Sequence, residues 1–201
     1  MPNWDADSLR ARANFAKILE IIELSGRHRE PPTLEAAKHW HKTIMNGLTV
    51  PDPRFVGSFR GEADLEYIQV RVGTKLGIDA RLVAAELFEF EKNMKALVYE
   101  LDMALPVGQN PDQDQMSAIL DVCAWAHSEW IRIHPFANGN GRTARVWADS
   151  LAVRYGLPPF VRFRPRPGIG YVEASIKAMR GDWQSTAVVF RKMLKDFIKH
   201  S

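Results

Sequence analysis

The chain has 201 residues, a mass of 22.8 kDa and a formal net charge of +3 at neutral pH. That length predicts one domain whose core folds without a disulfide or metal staple, and the single cysteine, Cys123, excludes a disulfide framework and a cysteine-based zinc site. The charge surplus is too small for nucleic-acid binding, no apolar stretch approaches the ~20 residues of a membrane span, and the opening Met1 to Asp7 lacks the pattern of a signal peptide, so we expect a cytoplasmic protein with no nucleic-acid or membrane partner.

The predicted elements are mostly helical. Leu9, Phe15, Ile18, Leu19 and Ile22 share one face of a first helix that ends near Ser25-Gly26, and Leu34, Ala37, Trp40, His41 and Ile44 suit a second. Leu65 to Val72 alternates and is followed by Gly73, which predicts a small hairpin around 65–78. Asp79 is placed to cap a long third helix through Leu82, Leu87, Leu97 and Leu101. Met116, Ile119, Leu120, Cys123, Ala126 and Trp130 form the clearest stripe in the chain, a fourth helix that ends near Ile131 to Ile133. A fifth opens after Asn140 and stops at Tyr155-Gly156, with Pro158 and Pro159 behind it. Arg162, Arg164 and Arg166 alternate with Val161, Phe163 and Pro165 as extended chain, which could steer a nucleotide or an acidic target but is read here as a solvated edge. Tyr171 to Met179 forms a short sixth helix, and Asp182 caps a seventh with Ala187, Val188, Leu194, Phe197 and Ile198 inward. The fold class is all-α with one short β element.

Chemistry concentrates in His134-Pro-Phe-Ala-Asn-Gly-Asn-Gly-Arg-Thr-Ala-Arg145. A glycine-rich loop running into a helix start lets backbone N–H groups converge on an anion, and the helix dipole adds positive potential. Arg142 and Arg145 fall in the first turns of that helix, where a cation opposes the dipole by a few tenths to ~1 kcal/mol. Their placement makes sense if they face phosphates. His134, at the other end of the loop, is a candidate general base, with Phe136 anchoring the loop.

This segment resembles the Fic (filamentation induced by cAMP) motif, H-x-F-x-[D/E]-G-N-G-R-x-x-R. Seven of its eight specified positions match: His134, Phe136, Gly139, Asn140, Gly141, Arg142 and Arg145; the usual acid is replaced by Asn138. Ala124 to His134, Trp40-His41 with Gly57-Ser-Phe-Arg60, and Leu151 to Pro159 are also similar to the family, over about residues 33–197. The resemblance implies a Fic-fold domain at 33–201 behind an N-terminal helical extension at 1–32, all-α with a β-hairpin flap. It implies a protein adenylyltransferase that moves AMP from ATP to a Ser, Thr or Tyr hydroxyl of a target protein and releases pyrophosphate. His134 is then the base, Gly139, Asn140 and Gly141 the anion hole, Arg142 its support, and Arg145 the grip on the γ-phosphate. Tyr67, Ile68, Gln69 and Val70 belong to the flap that docks the target by strand addition. Family members hold Mg²⁺ through the acid that Asn138 replaces, so the amide oxygen is expected to be a weak ligand for the Mg²⁺ that accompanies ATP.

The alternatives carried by the sequence are a catalytically silent Fic-fold binding module and a Doc-like phosphotransferase toxin; Gly141 disfavours the second, because Doc-type motifs usually carry Lys there. Many Fic proteins also carry an inhibitory [S/T]-x-x-x-E-[G/N] helix. Only Ser58 to Glu62 fits its first part, followed by Ala63, so inhibition is expected from a separate antitoxin-like partner or not at all. His39 and His41 lie two apart, off a shared helix face; His127 and Cys123 are read as packed core residues.

Overall fold

The structure is a computed structural model that describes residues 8–72 and 75–200. Residues 1–7, and Gly73 at the expected hairpin turn, lie outside the described residues. Seven helices account for most of the fold: α1 (Leu9–Arg27), α2 (Leu34–Met45), α3 (Val83–Ala104), α4 (Gln113–Ile133), α5 (Asn140–Arg154), α6 (Ile169–Ala178) and α7 (Gln184–His200). The sheet is one antiparallel pair, β1 (Arg71–Val72) and β2 (Lys75–Leu76), in the register Arg71 to Leu76 and Val72 to Lys75.

Local chemistry explains most boundaries. Ser8 and Thr33 accept from the amides of Ala11 and Ala36, and Asp112 forms a reciprocal capping box with Gln115. Asp79 caps a 3-10 turn, Ala80–Leu82, that leads into α3, so the third helix starts three residues later than the cap implies. Gly156, at φ 80°, ends α5, with Leu157 N–H bonded back to Ala152 O at 2.9 Å.

Helix α5 is the central element. Thr143, Ala144, Val146, Trp147, Ala148, Leu151 and Ala152 are buried along its length, with α4 and α1 packed against it. Helix α1 crosses it closely at Gly26, where a Cβ would come within 2.6 Å of Val153 Cγ1. Phe15, Ile18 and Ile22 of α1 therefore share one core with α4 and α5. An aromatic cluster lies under the α4–α5 loop: Trp147 meets Trp40 at 5.0 Å and Phe90 at 5.1 Å, both edge-on, and Phe136 meets Phe59 at 4.9 Å. Cys123 is fully buried, and burial pushes its thiol pKa well up, as fits a core residue.

Three details depart from the sequence reading. Leu9 is 84% exposed because it opens α1 before the helix reaches its neighbours. On α7, Val188 (68% exposed) sits about 100° round from the inward stripe of Ala187, Phe190 and Leu194, and Ile198 (60% exposed) only flanks a shallow concavity in the last turns. The hairpin is much shorter than 65–78: Leu65 is buried, and 67–70 precede the strand.

Candidate active site

The loop between α4 and α5 is set by a residue in the left-handed region. His134 caps α4 at φ 54°, ψ 54°, an uncommon conformation for a side-chain-bearing residue. Its Nδ1–H donates to Ile131 O at 3.0 Å; a carbonyl only accepts, so Nε2 carries the lone pair. Burial, opposed by the Ile131 hydrogen bond and aided by the nearby Arg60 cation, lowers the imidazole pKa to about 4. His134 is therefore neutral at physiological pH, with an accepting Nε2.

Arg60 holds this corner. Its fully buried guanidinium donates to four carbonyls: His134 at 2.8 Å, Ile133 at 3.1 Å, Ile68 at 3.0 Å and Ile78 at 2.9 Å. Two of these close the C-terminus of α4, where a cation also suits the dipole; the other two flank the hairpin. One side chain thus ties the base of the flap to the histidine.

The remaining loop contacts are equally local in effect and distant in sequence. Asn140 Oδ1 accepts from Phe136 N–H and its Nδ2 donates to Phe136 O, both at 2.8 Å. His41 of α2 stacks on Phe136 at 3.9 Å, accepts the Gly57 amide at Nδ1 (2.9 Å) and donates from Nε2 to Asn138 O (3.1 Å). Burial drives the His41 pKa down to about 3, so it stays in this neutral tautomer. Gly139 has φ 79°, and a Cβ there would lie 2.6 Å from Met45 Cε and 3.0 Å from His41 Nε2. Only glycine fits.

Beside the loop lies a cavity of about 600 Å³. His134 and residues 137–141 form one wall, and Gln69, Val70 and Arg71 form the hairpin side. The first-turn amides of Asn140 and Gly141 have no carbonyl four residues back, whereas those of Arg142 and Thr143 bond Gly139 O. Arg142 and Arg145 line the cavity from α5, together with Arg164 and Arg166. Those last two were read as a solvated edge, and the structure corrects this. Val161 and Phe163 point inward, Val161 N–H donates to Asp149 Oδ1 at 2.9 Å, and Phe163 stacks on Phe15 at 5.4 Å, which anchors the segment whose Arg164 and Arg166 line the cavity. Arg162 does not line it.

The structure brings His134, Gly139, Asn140, Gly141, Arg142 and Arg145 around one space, with two changes of detail. The Asn140 side chain is spent on closing the loop, leaving only its backbone for an anion. Asn138 Oδ1 accepts from the Gly139 amide at 2.5 Å and from Arg142 Nη2 at 3.3 Å. Among the described residues no carboxylate lines the cavity, and no three His, Cys, Asp or Glu side chains gather in a metal-holding group. Asn138 is thus the one residue of the motif whose side chain could offer Mg²⁺ an oxygen here, a neutral one already engaged by these two donors. Of the expected flap residues, Gln69 and Val70 line the cavity; Tyr67 is 74% exposed and Ile68 is engaged through its carbonyl by Arg60.

Sequence reasoning quoted His41 and Arg60 for the family resemblance, and gave neither them nor Tyr171 a role in the site. Arg145 Nη1 donates to the Tyr171 hydroxyl at 3.3 Å, and that hydroxyl also bonds buried His127 Nε2 at 2.7 Å. Glu62, the end of the partial inhibitory motif, pairs with Lys38 at 2.8 Å.

Fold and site together define an all-α domain in which a histidine and a glycine-rich helix start face one cationic cavity beside a short hairpin. The Fic/DOC family model matches residues 31–152, and the chain belongs to that family. Among curated relatives it is 39% identical over 64 residues to a protein adenylyltransferase Fic of Nematostella vectensis, covering 31% of this chain and 14% of that protein. It is 38% identical over 52 residues to that of Culex quinquefasciatus, covering 26% and 10%. The matches thus span about a seventh or less of those relatives. Among solved structures, a Fic domain-containing signalling protein from Bacteroides thetaiotaomicron aligns with a TM-score of 0.59 at 18% identity, over 92% of this chain and 70% of that one. BepC, a VirB-translocated effector from Bartonella tribocorum with bound AMPPNP, aligns with a TM-score of 0.61 at 17% identity, over 90% and 86%. These two likenesses concern the fold. No helix among the described residues is long and apolar enough to cross a membrane.

Proposed function

We propose that this chain is a protein adenylyltransferase, moving AMP from ATP to a Ser, Thr or Tyr hydroxyl of a target protein. The observation that carries it is the free Nε2 of His134 at the edge of a cavity whose other walls are helix-start amides and arginines. His134 Nε2 accepts the proton of the incoming hydroxyl. The hydroxyl oxygen bonds to the α-phosphorus, the bond from that phosphorus to the α,β-bridging oxygen breaks, and pyrophosphate leaves. The amides of Asn140 and Gly141 and the guanidinium of Arg145 stabilise the growing negative charge. An extended target segment pairs along the hairpin beside Gln69, Val70 and Arg71, which brings its hydroxyl toward His134. The names of the curated relatives and the nucleotide analogue on BepC support a nucleotide substrate.

A second reading, a nucleotide-binding module without transfer, is favoured by the engaged amide of Asn138 in place of an acid. Incubation of lysate with α-labelled ATP separates the two. Labelled protein that disappears in His134→Ala supports transfer. Nucleotide binding with no labelled protein in either variant supports the module. Label transferred from γ-labelled ATP instead identifies a phosphotransferase.

A further inference from the structure

We infer that Tyr171, backed by His127, is a positioning residue of this site: its hydroxyl fixes the direction in which Arg145 offers its guanidinium, and so sets how well the site tells a nucleoside triphosphate from a diphosphate. The inference rests on the nucleotide reading above and on the expected contact of Arg145 with the γ-phosphate, and it adds what aims that contact.

Three helices meet at this hydroxyl. Tyr171 stands in the first turn of α6, His127 on α4 and Arg145 on α5. All three residues are buried, and Arg145 also lines the cavity. Arg145 Nη1 lies 3.3 Å from the Tyr171 hydroxyl, and His127 Nε2 lies 2.7 Å from it. Hydrogen-bond chemistry orders the chain of contacts. A guanidinium only donates, so the Tyr171 oxygen accepts from Arg145 and its one proton is left for a neutral His127 at Nε2. Burial, with the Arg145 charge acting in the same direction, lowers the His127 pKa to about 3, which keeps that imidazole neutral. A protonated His127 would donate to the Tyr171 oxygen instead and set a second cation beside Arg145.

The hydroxyl also settles a choice between two directions. Asp149 follows Arg145 by one turn of α5, near enough for the Arg145 charge to act on its carboxyl. Burial holds that carboxyl pKa well up, and its Oδ1 accepts the Val161 amide. The guanidinium turns to Tyr171, across to α6, and so stays on the cavity wall. The acceptor it meets is firmly seated. The His127 ring packs edge-on against Tyr171 and against Phe190 of α7, both at 5.3 Å between centroids. An arginine side chain has many rotamers, and holding one of them before the ligand arrives removes an ordering cost from binding.

Titration calorimetry of ATP and of ADP, on the full chain in one Mg²⁺ buffer, tests this. Tyr171→Phe keeps the ring and removes the hydroxyl. It is expected to raise the ATP Kd about five- to tenfold and the ADP Kd less than about twofold. In an Arg145→Ala background the same substitution should change neither, because its effect runs through Arg145. Equal losses for the two nucleotides, or an ATP loss that persists without the Arg145 guanidinium, would show a merely structural tyrosine and overturn the inference. His127→Leu removes the acceptor behind the hydroxyl and should narrow the difference between ATP and ADP by about threefold, whereas His127→Gln still offers an amide oxygen and should keep it within about twofold of wild type. An unchanged difference in His127→Leu removes His127 from the role, and should Tyr171→Phe not fold, that result alone overturns the inference. A wild-type chain that binds ATP and ADP equally also overturns it and leaves the nucleotide reading standing. A chain that binds neither overturns both.

Discussion

Replacing Asn140 by alanine separates a structural role for its side chain from contact with phosphate. Both polar ends of the side chain are bonded to Phe136 backbone at 2.8 Å, and Phe136 is fully buried. Removal leaves one buried N–H and one buried C=O without partners, at about 1–3 kcal/mol each, so the expected destabilisation is roughly 2–6 kcal/mol. A domain of this size loses about 2–4 °C of Tm per kcal/mol, which predicts a fall of roughly 5–20 °C. Thermal melting without ligand reads it directly. Asn140→Asp sharpens the test: it keeps an acceptor for Phe136 N–H but sets an oxygen against Phe136 O. That variant should be about as unstable as alanine at pH 8 and should recover in part at pH 5, where the carboxyl, its pKa raised by burial against the Phe136 carbonyl, takes up a proton from solvent and donates again. A melting temperature within about 2 °C of wild type for Asn140→Ala would refute the loop-closing role and return the side chain to the phosphate site.

Arg60→Met removes four hydrogen bonds from a charged donor and is expected to cost about 3–6 kcal/mol, allowing for non-additivity, with loss of amide protection around 68–78 by hydrogen exchange; Arg60→Lys, with three donors on a flexible stem, should recover little. Gly139→Ala should lower Tm by several degrees, because φ 79° and Met45 Cε at 2.6 Å leave no room for a Cβ. Transfer activity should stay level from pH 8 down to about 5 and fall as pH drops through about 4, since His134 acts as a base only when neutral and its pKa is lowered; a midpoint near 6.5 would contradict the buried setting. His127, driven by burial to about 3, stays neutral in the fold while the unfolded chain takes up a proton below about pH 6.5. Its contribution is present above that pH and is lost at about 1.4 kcal/mol per unit as pH falls, so denaturant titrations between pH 6 and 4 should show a shallower loss in His127→Gln; Asp149, pushed well up by burial, acts with the opposite sign in both proteins and cancels in the difference. Arg145→Ala should weaken ATP more than ADP by calorimetry, equal losses arguing against a γ-phosphate contact.

The part of the site legible in the sequence is the part made by neighbours. His134 to Arg145 is one loop and one helix start, so its glycines, its histidine and its first-turn arginines carry their geometry in their order. Helices α1, α2, α4, α5 and α6 were legible for the same reason: caps, stripes and stops are local. What periodicity cannot encode is which distant residue meets a given loop. His41 reaches Asn138 across 97 positions and Arg60 reaches Ile133 across 73, and each is an ordinary residue in its own segment. Arg164 and Arg166 read as solvated because alternation reports two faces without saying what the polar face looks onto.

Those long-range contacts also hold the arginines of the site in place. Arg142 and Arg145 sit where the helix dipole disfavours them, and Arg60 is buried beneath the loop. Arg60 is compensated by four carbonyls, two of them at the C-terminus of α4. Arg142 donates to the Asn138 amide oxygen and Arg145 to the Tyr171 hydroxyl, neutral acceptors that orient each guanidinium on the cavity wall. Burial acts in the same direction at His134: it keeps the imidazole neutral, so the base beside these donors stays unprotonated and able to accept.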